Sequence, residues 1–169
     1  MGIEDDIDSA ESLQMVVFRV GDDYLACPIS QVREIIQLEE VTSVPSTPER
    51  IRGIINRRGE IITVVDLPKI LGIDIELEET DSQLMILYDE NIGVMASEVT
   101  QIPTVSTSDI EPPSDALESP VNERYLEGIV KHEGKLIMLT DLISMIKNLS
   151  QEGLKMAEEF GKEETTDNA

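Results

Sequence analysis

Few side chains in this sequence are of the types that catalyse reactions. His132 is its single histidine and Cys27 is its single cysteine. A nucleophilic site needs a base beside the nucleophile, and no serine or cysteine here lies in a pattern that supplies one. His132 takes the place of Arg57 in the internal repeat described below, which favours an exposed turn residue. Cys27 lies among apolar residues, which favours a place in the core.

Asp66 and Asp141 follow equivalent apolar segments, and a pair of carboxylates can act as acid and base. Such a pair must be close in space, which equivalent positions in two repeats do not ensure. Capping of a following helix explains both residues. The sequence has no Gly-rich phosphate loop, and its acidic N-terminus lacks the glycine and spacing of a calcium loop. We therefore predict no catalytic residue, no metal site and no cofactor, and a protein that is not an enzyme.

An internal repeat in the sequence predicts two similar lobes. Residues 53–67 recur as 128–142 at a constant offset of 75, and an upstream segment recurs at an offset of 67. The matching pairs include Val32 with Val99, Ile35 with Ile102, Gly53 with Gly128, Gly59 with Gly134 and Asp66 with Asp141. The change of offset places an eight-residue insertion in the second copy, most naturally at 109–120. The lobe-forming repeats are then roughly 13–80 and 81–146.

Alternating apolar residues between turn signals predict short strands joined in hairpins. The predicted strands include 14–20, 24–29, 54–57, 60–65, 83–88 and 92–96. Consecutive apolar residues at 61–65 indicate that both faces of that strand are covered. A short helix is predicted at 67–71. The spacing of apolar residues from 142 to about 160 predicts an amphipathic C-terminal helix that packs on one lobe. The predicted fold class is all-β, built from small barrels.

The charge of the chain excludes several kinds of partner. Its net charge of −22 argues against binding nucleic acid or an anionic membrane surface, and it has no tryptophan to stack on bases. Residues 1–12 are predicted to be an acidic disordered tail, and 150–169 the end of the helix and a second acidic tail. No secretory signal is visible, and no apolar run approaches the roughly 18–20 residues that cross a bilayer. We expect a cytoplasmic protein without direct membrane insertion.

Residues 51–67, Ile-Arg-Gly-Ile-Ile-Asn-Arg-Arg-Gly-Glu-Ile-Ile-Thr-Val-Val-Asp-Leu, resemble the signature of the CheW family. That signature is a G-x-x-N-x-R-G core followed by an apolar strand and Asp-Leu. Residues 17–24, 32–35 and 125–128 are also similar to the family, so the resemblance spans about 14–148. The sequence departs from the pattern at Arg57, where leucine is common, and in its acidic tails.

The resemblance implies a chemotaxis coupling protein whose CheW-like domain covers 13–149. Members of the family fold as two five-stranded SH3-like β-barrels around a common hydrophobic core. They bind the cytoplasmic tip of chemoreceptors and the regulatory domain of the CheA histidine kinase, and so let receptors control the kinase. A CheW-like scaffold for a different kinase pathway is an alternative. An enzyme or small-ligand barrel is another, and it would require a buried polar cavity.

The resemblance also implies a set of partner-binding residues. Val32, Glu34 and Arg58 match residues associated with receptor contact, and Glu34 and Arg58 could form a salt bridge. Val99 and Ile102 would lie on the related surface of the second lobe. The remaining predicted site residues are the glycines Gly53, Gly59 and Gly128. A glycine can instead serve a turn or a close backbone approach, and Val32 and Val99 can instead be core residues.

Overall fold

The computed structural model describes residues 11–114 and 119–167, with the backbone alone at 149–152 and 163–167. Twelve strands lie in these ranges: β1 (Ser12–Val20), β2 (Asp23–Pro28), β3 (Val32–Gln37), β4 (Ile51–Arg57), β5 (Glu60–Asp66), β6 (Gln83–Leu87), β7 (Ile92–Ala96), β8 (Glu98–Gln101), β9 (Thr104–Ser106), β10 (Ile110–Glu111), β11 (Leu126–His132) and β12 (Lys135–Thr140). The α-helices are α1 (Leu67–Leu71) and α2 (Leu142–Asp167). Neither is both long and apolar enough to span a membrane.

The strands form two sheets, which we call lobe 1 and lobe 2. Lobe 1 has seven strands in the order β10-β11-β12-β2-β1-β8, with β9 also paired to β1. Lobe 2 has five strands in the order β3-β6-β7-β5-β4. The predicted all-β fold with two lobes is therefore confirmed.

The two lobes are not the two sequence repeats, because the repeats exchange hairpins. In lobe 2, β5 of the first copy pairs in parallel with β7 of the second, with Val64 opposite Gly93. In lobe 1, β12 of the second copy pairs in parallel with β2 of the first, with Leu139 opposite Ala26. These two pairings are equivalent under the repeat offsets. Each lobe thus combines strands from both copies, whereas the sequence predicted lobes at roughly 13–80 and 81–146.

The physical reason for the exchange lies in the strand connections. A tight turn can join antiparallel strands but cannot join parallel ones. The partner of β5 in a parallel pair must therefore come from a distant part of the chain, and the other copy provides it. Reciprocal pairing also covers a sheet edge that each hairpin would otherwise leave open.

The extra strands of lobe 1 come from the longer connection in the second copy. Strand β9 (Thr104–Ser106) pairs with β1, and β10 (Ile110–Glu111) pairs with β11. Both lie in or near the segment 109–120 where the insertion was placed. Strand β1 begins at Ser12, which pairs with Ser106.

Side chains of successive strand residues point to opposite faces of a sheet, and on β5 and β6 both faces are buried. On β6, Leu84 and Ile86 lie in the interior of lobe 2, whereas Met85 and Leu87 lie in a core shared with lobe 1. Strand β5 divides in the same way, and its apolar run is buried on both faces as predicted. Lobe 1 has its own interior cluster. The predicted shared hydrophobic core is confirmed.

Helix α2 packs against the β4–β5 hairpin of lobe 2, so the C-terminal helix is confirmed, although it extends to Asp167 instead of about residue 160. Two glycines allow this close packing. A Cβ at Gly153 would lie 2.6 Å from Ile51, and one at Gly161 would lie 2.5 Å from Ile61. Both distances are too short for a real contact, so larger residues there would move the helix away from the sheet.

Candidate functional site

The turn between β4 and β5 projects Arg58 into solvent. Arg57 pairs with Glu60, which leaves a two-residue loop of Arg58 and Gly59. Both residues have positive φ, 53° and 85°, as a type I′ hairpin turn requires. The backbone N–H of Gly59 donates a hydrogen bond of 3.0 Å to the Asn56 side chain, which holds the turn. The Arg58 side chain is 77% exposed.

Beside this turn, an ion pair joins the two outermost strands of lobe 2. Arg57, at the end of β4, donates to both carboxylate oxygens of Glu34 on β3, with Nη2 2.8 Å and Nε 3.3 Å away. These strands are at opposite ends of the sheet order, so the sheet curls enough for side chains of its two edge strands to touch. The pair therefore closes the lobe at this end. A bidentate guanidinium–carboxylate pair of this kind has a fixed geometry.

Three more charged residues complete a cluster around this pair. Arg33 on β3 lies 3.2 Å from the Glu60 carboxylate, and Arg58 lies 3.7 Å from Glu34. We call Arg33, Glu34, Arg57, Arg58 and Glu60 the arginine cluster; these residues line an open groove of about 320 Å³.

Contacts within the arginine cluster shift the pKa values of Glu34 and Arg57. The hydrogen bond from Arg57 lowers the pKa of the Glu34 carboxyl, with smaller contributions from the charges of Arg57, Arg58 and Arg33. The same bond raises the pKa of Arg57. Glu34 thus stays ionised in the folded protein at acidity that would protonate it in an unfolded chain.

The structure brings Glu34 and Arg58 together, as the expected salt bridge required, but Arg57 is the nearer partner of Glu34. Arg57 was not among the predicted site residues. The sequence feature that could have marked Arg57 is that it stands at a position where leucine is common in the family. Its partner lies 23 residues away on another strand, so the pattern gave no hint of the pairing.

The three predicted apolar site residues differ in exposure and do not lie on the same lobe. Val32 on β3 and Val99 on β8 are half-buried and pack against the shared core. Ile102, just after β8, is 41% exposed. Strand β8 is an edge of lobe 1, so Val99 and Ile102 belong to a different sheet from Glu34 and Arg58.

Gly53 and Gly128 are buried at β-bulges in equivalent hairpins. A Cβ at Gly53, where φ is 150°, would overlap the Thr42 carbonyl oxygen. That oxygen accepts a hydrogen bond of 2.8 Å from the N–H of Ile54. A Cβ at Gly128 would lie 2.5 Å from Ile110. Both glycines permit a close approach of a neighbouring segment, and an effect on a partner would be indirect.

The residues considered for catalysis occupy structural positions: two cap helices, one is buried in the core and one lies beside a turn. Asp66 and Asp141 each cap their own helix, accepting hydrogen bonds from the backbone N–H groups of Lys69 and Ser144, as predicted. Cys27 is fully buried, and burial raises the pKa of its thiol, with the charge of Asp141 as a second cause. His132 ends β11 beside the next hairpin turn. Within 11–114 and 119–167, no three acidic, histidine or cysteine side chains are grouped to hold a metal ion.

The fold and the site define a class of protein. The apolar faces of the two packed β lobes are buried in their cores. Their edges and turns present charged side chains to solvent. This is the arrangement of a docking module, in which other polypeptides bind the outer surface of a rigid scaffold.

Comparison with known proteins identifies the family within this class. The CheW-like domain family matches residues 14–150. The chain is 31% identical over 142 residues to the chemotaxis protein CheW of Rhizobium meliloti (strain 1021), covering 82% of this chain and 90% of that protein. It is 30% identical over 142 residues to CheW of Bacillus subtilis (strain 168), with the same coverage.

A solved structure agrees with these relatives. The crystal structure of the scaffolding protein TtCheW from Thermoanaerobacter tengcongensis matches with a TM-score of 0.68 and 32% identity, covering 76% of this chain and 88% of that one. This chain belongs to the CheW-like family. The resemblance, the fold of SH3-like lobes and the role of a chemotaxis adaptor inferred from the sequence are confirmed.

Proposed function

We propose that this protein holds chemoreceptor tips and a CheA-type histidine kinase in one complex, so that receptor signals change kinase activity. It binds the kinase through the regulatory domain. The protein acts without catalysing a reaction, and it works in the cytoplasm, where the receptor tip and the kinase are. Membership of the CheW-like family supports the proposal. The observation that carries it is the exposed Arg58 in the arginine cluster.

Arg58 is suited to contact a receptor helix. Its turn is held by the Asn56 hydrogen bond, so little backbone freedom is lost when a partner binds. An arginine in an otherwise strongly acidic protein is a distinct local feature, since the net charge is −22. A guanidinium binds a carboxylate in a fork geometry that a lysine cannot reproduce.

The other predicted site residues take supporting places in this proposal. Glu34 belongs to the arginine cluster, Val32 lies beside the cluster on β3, and Gly59 permits the turn that presents Arg58. Val99 and Ile102 would form a second contact surface on the edge of lobe 1. Gly53 and Gly128 would affect binding through the hairpins they shape.

The test is the affinity of the Arg58→Glu variant for a coiled-coil fragment of a receptor tip, measured by calorimetry. We expect binding about tenfold weaker or worse, because like charges would then face each other. The melting temperature should be nearly unchanged, since the side chain is exposed. Lys131→Glu is the matched control: it makes the same charge change at an exposed position on lobe 1 and should bind like the parent.

Equal affinity of parent and Arg58→Glu would remove Arg58 from the receptor site. A second arm mixes the parent with receptor fragment and kinase regulatory domain and measures the mass of the complex. A ternary complex is expected. Binding of neither partner would refute the proposal and favour the alternative of a scaffold for a different kinase pathway.

A further inference from the structure

Within the arginine cluster, Arg57 and Arg58 differ in their hydrogen bonds to Glu34. Arg57 donates to both oxygens of Glu34, at 2.8 and 3.3 Å. The nearest approach of Arg58 to Glu34 is 3.7 Å, beyond a hydrogen bond. Arg57 is also the less exposed of the two, at 33% against 77%.

Both carboxylates of the cluster already have a closer arginine than Arg58. Glu34 is held by Arg57, and Glu60 lies 3.2 Å from Arg33. Three guanidinium groups therefore face two carboxylates, and Arg58 has a 3.7 Å ion pair with Glu34 but no hydrogen bond to it. Because the Arg58 side chain is 77% exposed, it can pair with a partner's carboxylate while it stays largely hydrated.

We infer that Arg57 is a positioning residue that sets which partner the site accepts. By holding both oxygens of Glu34, it keeps that carboxylate from forming a hydrogen bond with Arg58, so the donors of Arg58 remain available to a carboxylate on an acidic helix. This inference rests on the proposed function, in which Arg58 contacts the receptor. The new element is that selectivity for an acidic partner depends on Arg57, which does not touch the partner.

The inference predicts what happens without Arg57. In an Arg57→Met variant, the apolar stem remains but no donor reaches Glu34. Glu34 then accepts from Arg58, whose Nη2 is already 3.7 Å from Oε2. We expect binding of an acidic receptor-tip coiled coil to weaken about fivefold at low salt, and less at high salt because exposed charges are screened.

A double-mutant cycle separates positioning from direct contact. In a Glu34→Gln background there is no carboxylate to hold, so adding Arg57→Met should leave affinity for the fragment unchanged. If Arg57 itself contacts the partner, the loss will persist in the Glu34→Gln background, and the inference is wrong. It is also wrong if Arg57→Met alone binds like the parent. Arg57→Lys, which keeps the charge without the fork, should show an intermediate loss.

A second measurement needs no partner. The carboxyl carbon of Glu34 is followed by NMR through an acid titration in the parent, Arg57→Met and Arg58→Met. Arg57→Met should raise the pKa of Glu34 more than Arg58→Met does, and the reverse order would overturn the inference. If the parent does not bind the receptor fragment, the proposed function fails, while this titration still decides whether Arg57 or Arg58 holds Glu34.

Discussion

Gln31 and Asp141 are 110 residues apart in the chain and together cap the first turn of helix α2. The Gln31 amide donates a hydrogen bond of 3.0 Å to Asp141, and its oxygen accepts one of 3.0 Å from the backbone N–H of Leu142. Asp141 in turn accepts from the backbone and the hydroxyl of Ser144. The first copy of the repeat thus supplies part of the cap for the helix of the second copy.

Replacing Gln31 by alanine should destabilise the protein. Gln31 is buried, and the change leaves the N–H of Leu142 without this acceptor and removes one of the two donors to Asp141 Oδ1, which keeps the N–H of Ser144. We expect a loss of about 2 kcal/mol in the free energy of unfolding, measured by urea denaturation. Gln37→Ala is the control, because Gln37 also donates to backbone carbonyls but is exposed, and it should cost about 0.5 kcal/mol. Equal losses would show that Gln31 is not part of the cap.

The two equivalent aspartates should differ in their effect on stability. Asp66 is 1% exposed and, besides capping α1, accepts a 3.2 Å bond from Arg52. Asp66→Ala leaves this half-buried arginine without that carboxylate and should cost about 3 kcal/mol, against about 2 kcal/mol for Asp141→Ala, which removes a cap and the acceptor of the Gln31 amide. Chemical denaturation of both variants gives the comparison. Adding Arg52→Met to Asp66→Ala should recover part of the loss, and no recovery would assign the whole effect to the cap.

Gly53 and Gly59 should respond differently to alanine, although both have positive φ. At Gly59 nothing lies within 4 Å of a Cβ. Gly59→Ala should therefore lower the free energy of unfolding only through the positive φ of the backbone, by about 1 kcal/mol. At Gly53 the Cβ would overlap the Thr42 carbonyl, so the bridge between Thr42 and Ile54 must break. We expect a loss of about 3 kcal/mol or more by thermal denaturation. Similar melting temperatures for the two variants would contradict the close approach at Gly53.

The Glu34 ion pair predicts a particular dependence of stability on pH. The pKa of Glu34 is lowered in the folded state, so its contribution to stability is present above the unfolded value of about 4.3. That contribution is lost as the pH falls through the lowered folded pKa. The parent should be slightly more stable than Glu34→Gln at neutral pH, and the difference should vanish in acid. Glu39→Gln, which removes an exposed carboxylate, is the control, and a difference that grows in acid would contradict the sign.

A charge in the interior of lobe 2 should unfold the protein. Ile62 is fully buried, so Ile62→Asp places an unpaired carboxylate in an apolar core. The cost is comparable with the whole stability of about 5–15 kcal/mol of a typical domain. Leu136→Asp is the matched control, because Leu136 is a strand leucine that is 41% exposed. A soluble, cooperatively melting Ile62→Asp variant would show that this strand is not interior.

Local patterns in the sequence predicted the local structure. The six strands placed from the sequence, the turn at Arg58 and Gly59, the caps at Asp66 and Asp141 and the burial of both faces of β5 depend on residues within a few positions of one another. Strands β3 and β8 to β10 were not predicted. Their physical causes are also local: side-chain alternation, positive φ in a two-residue turn, and a carboxylate near free backbone N–H groups.

The sequence by itself determined that the chain has two equivalent halves with aliphatic cores and no evident catalytic group. Only the tertiary structure decided that the halves exchange hairpins, because a strand's apolar pattern is the same whichever copy it pairs with. It also decided that Arg57, and not Arg58, holds Glu34. That pair depends on how far the sheet of lobe 2 curls, which results from packing across the shared core and not from neighbouring residues in the chain.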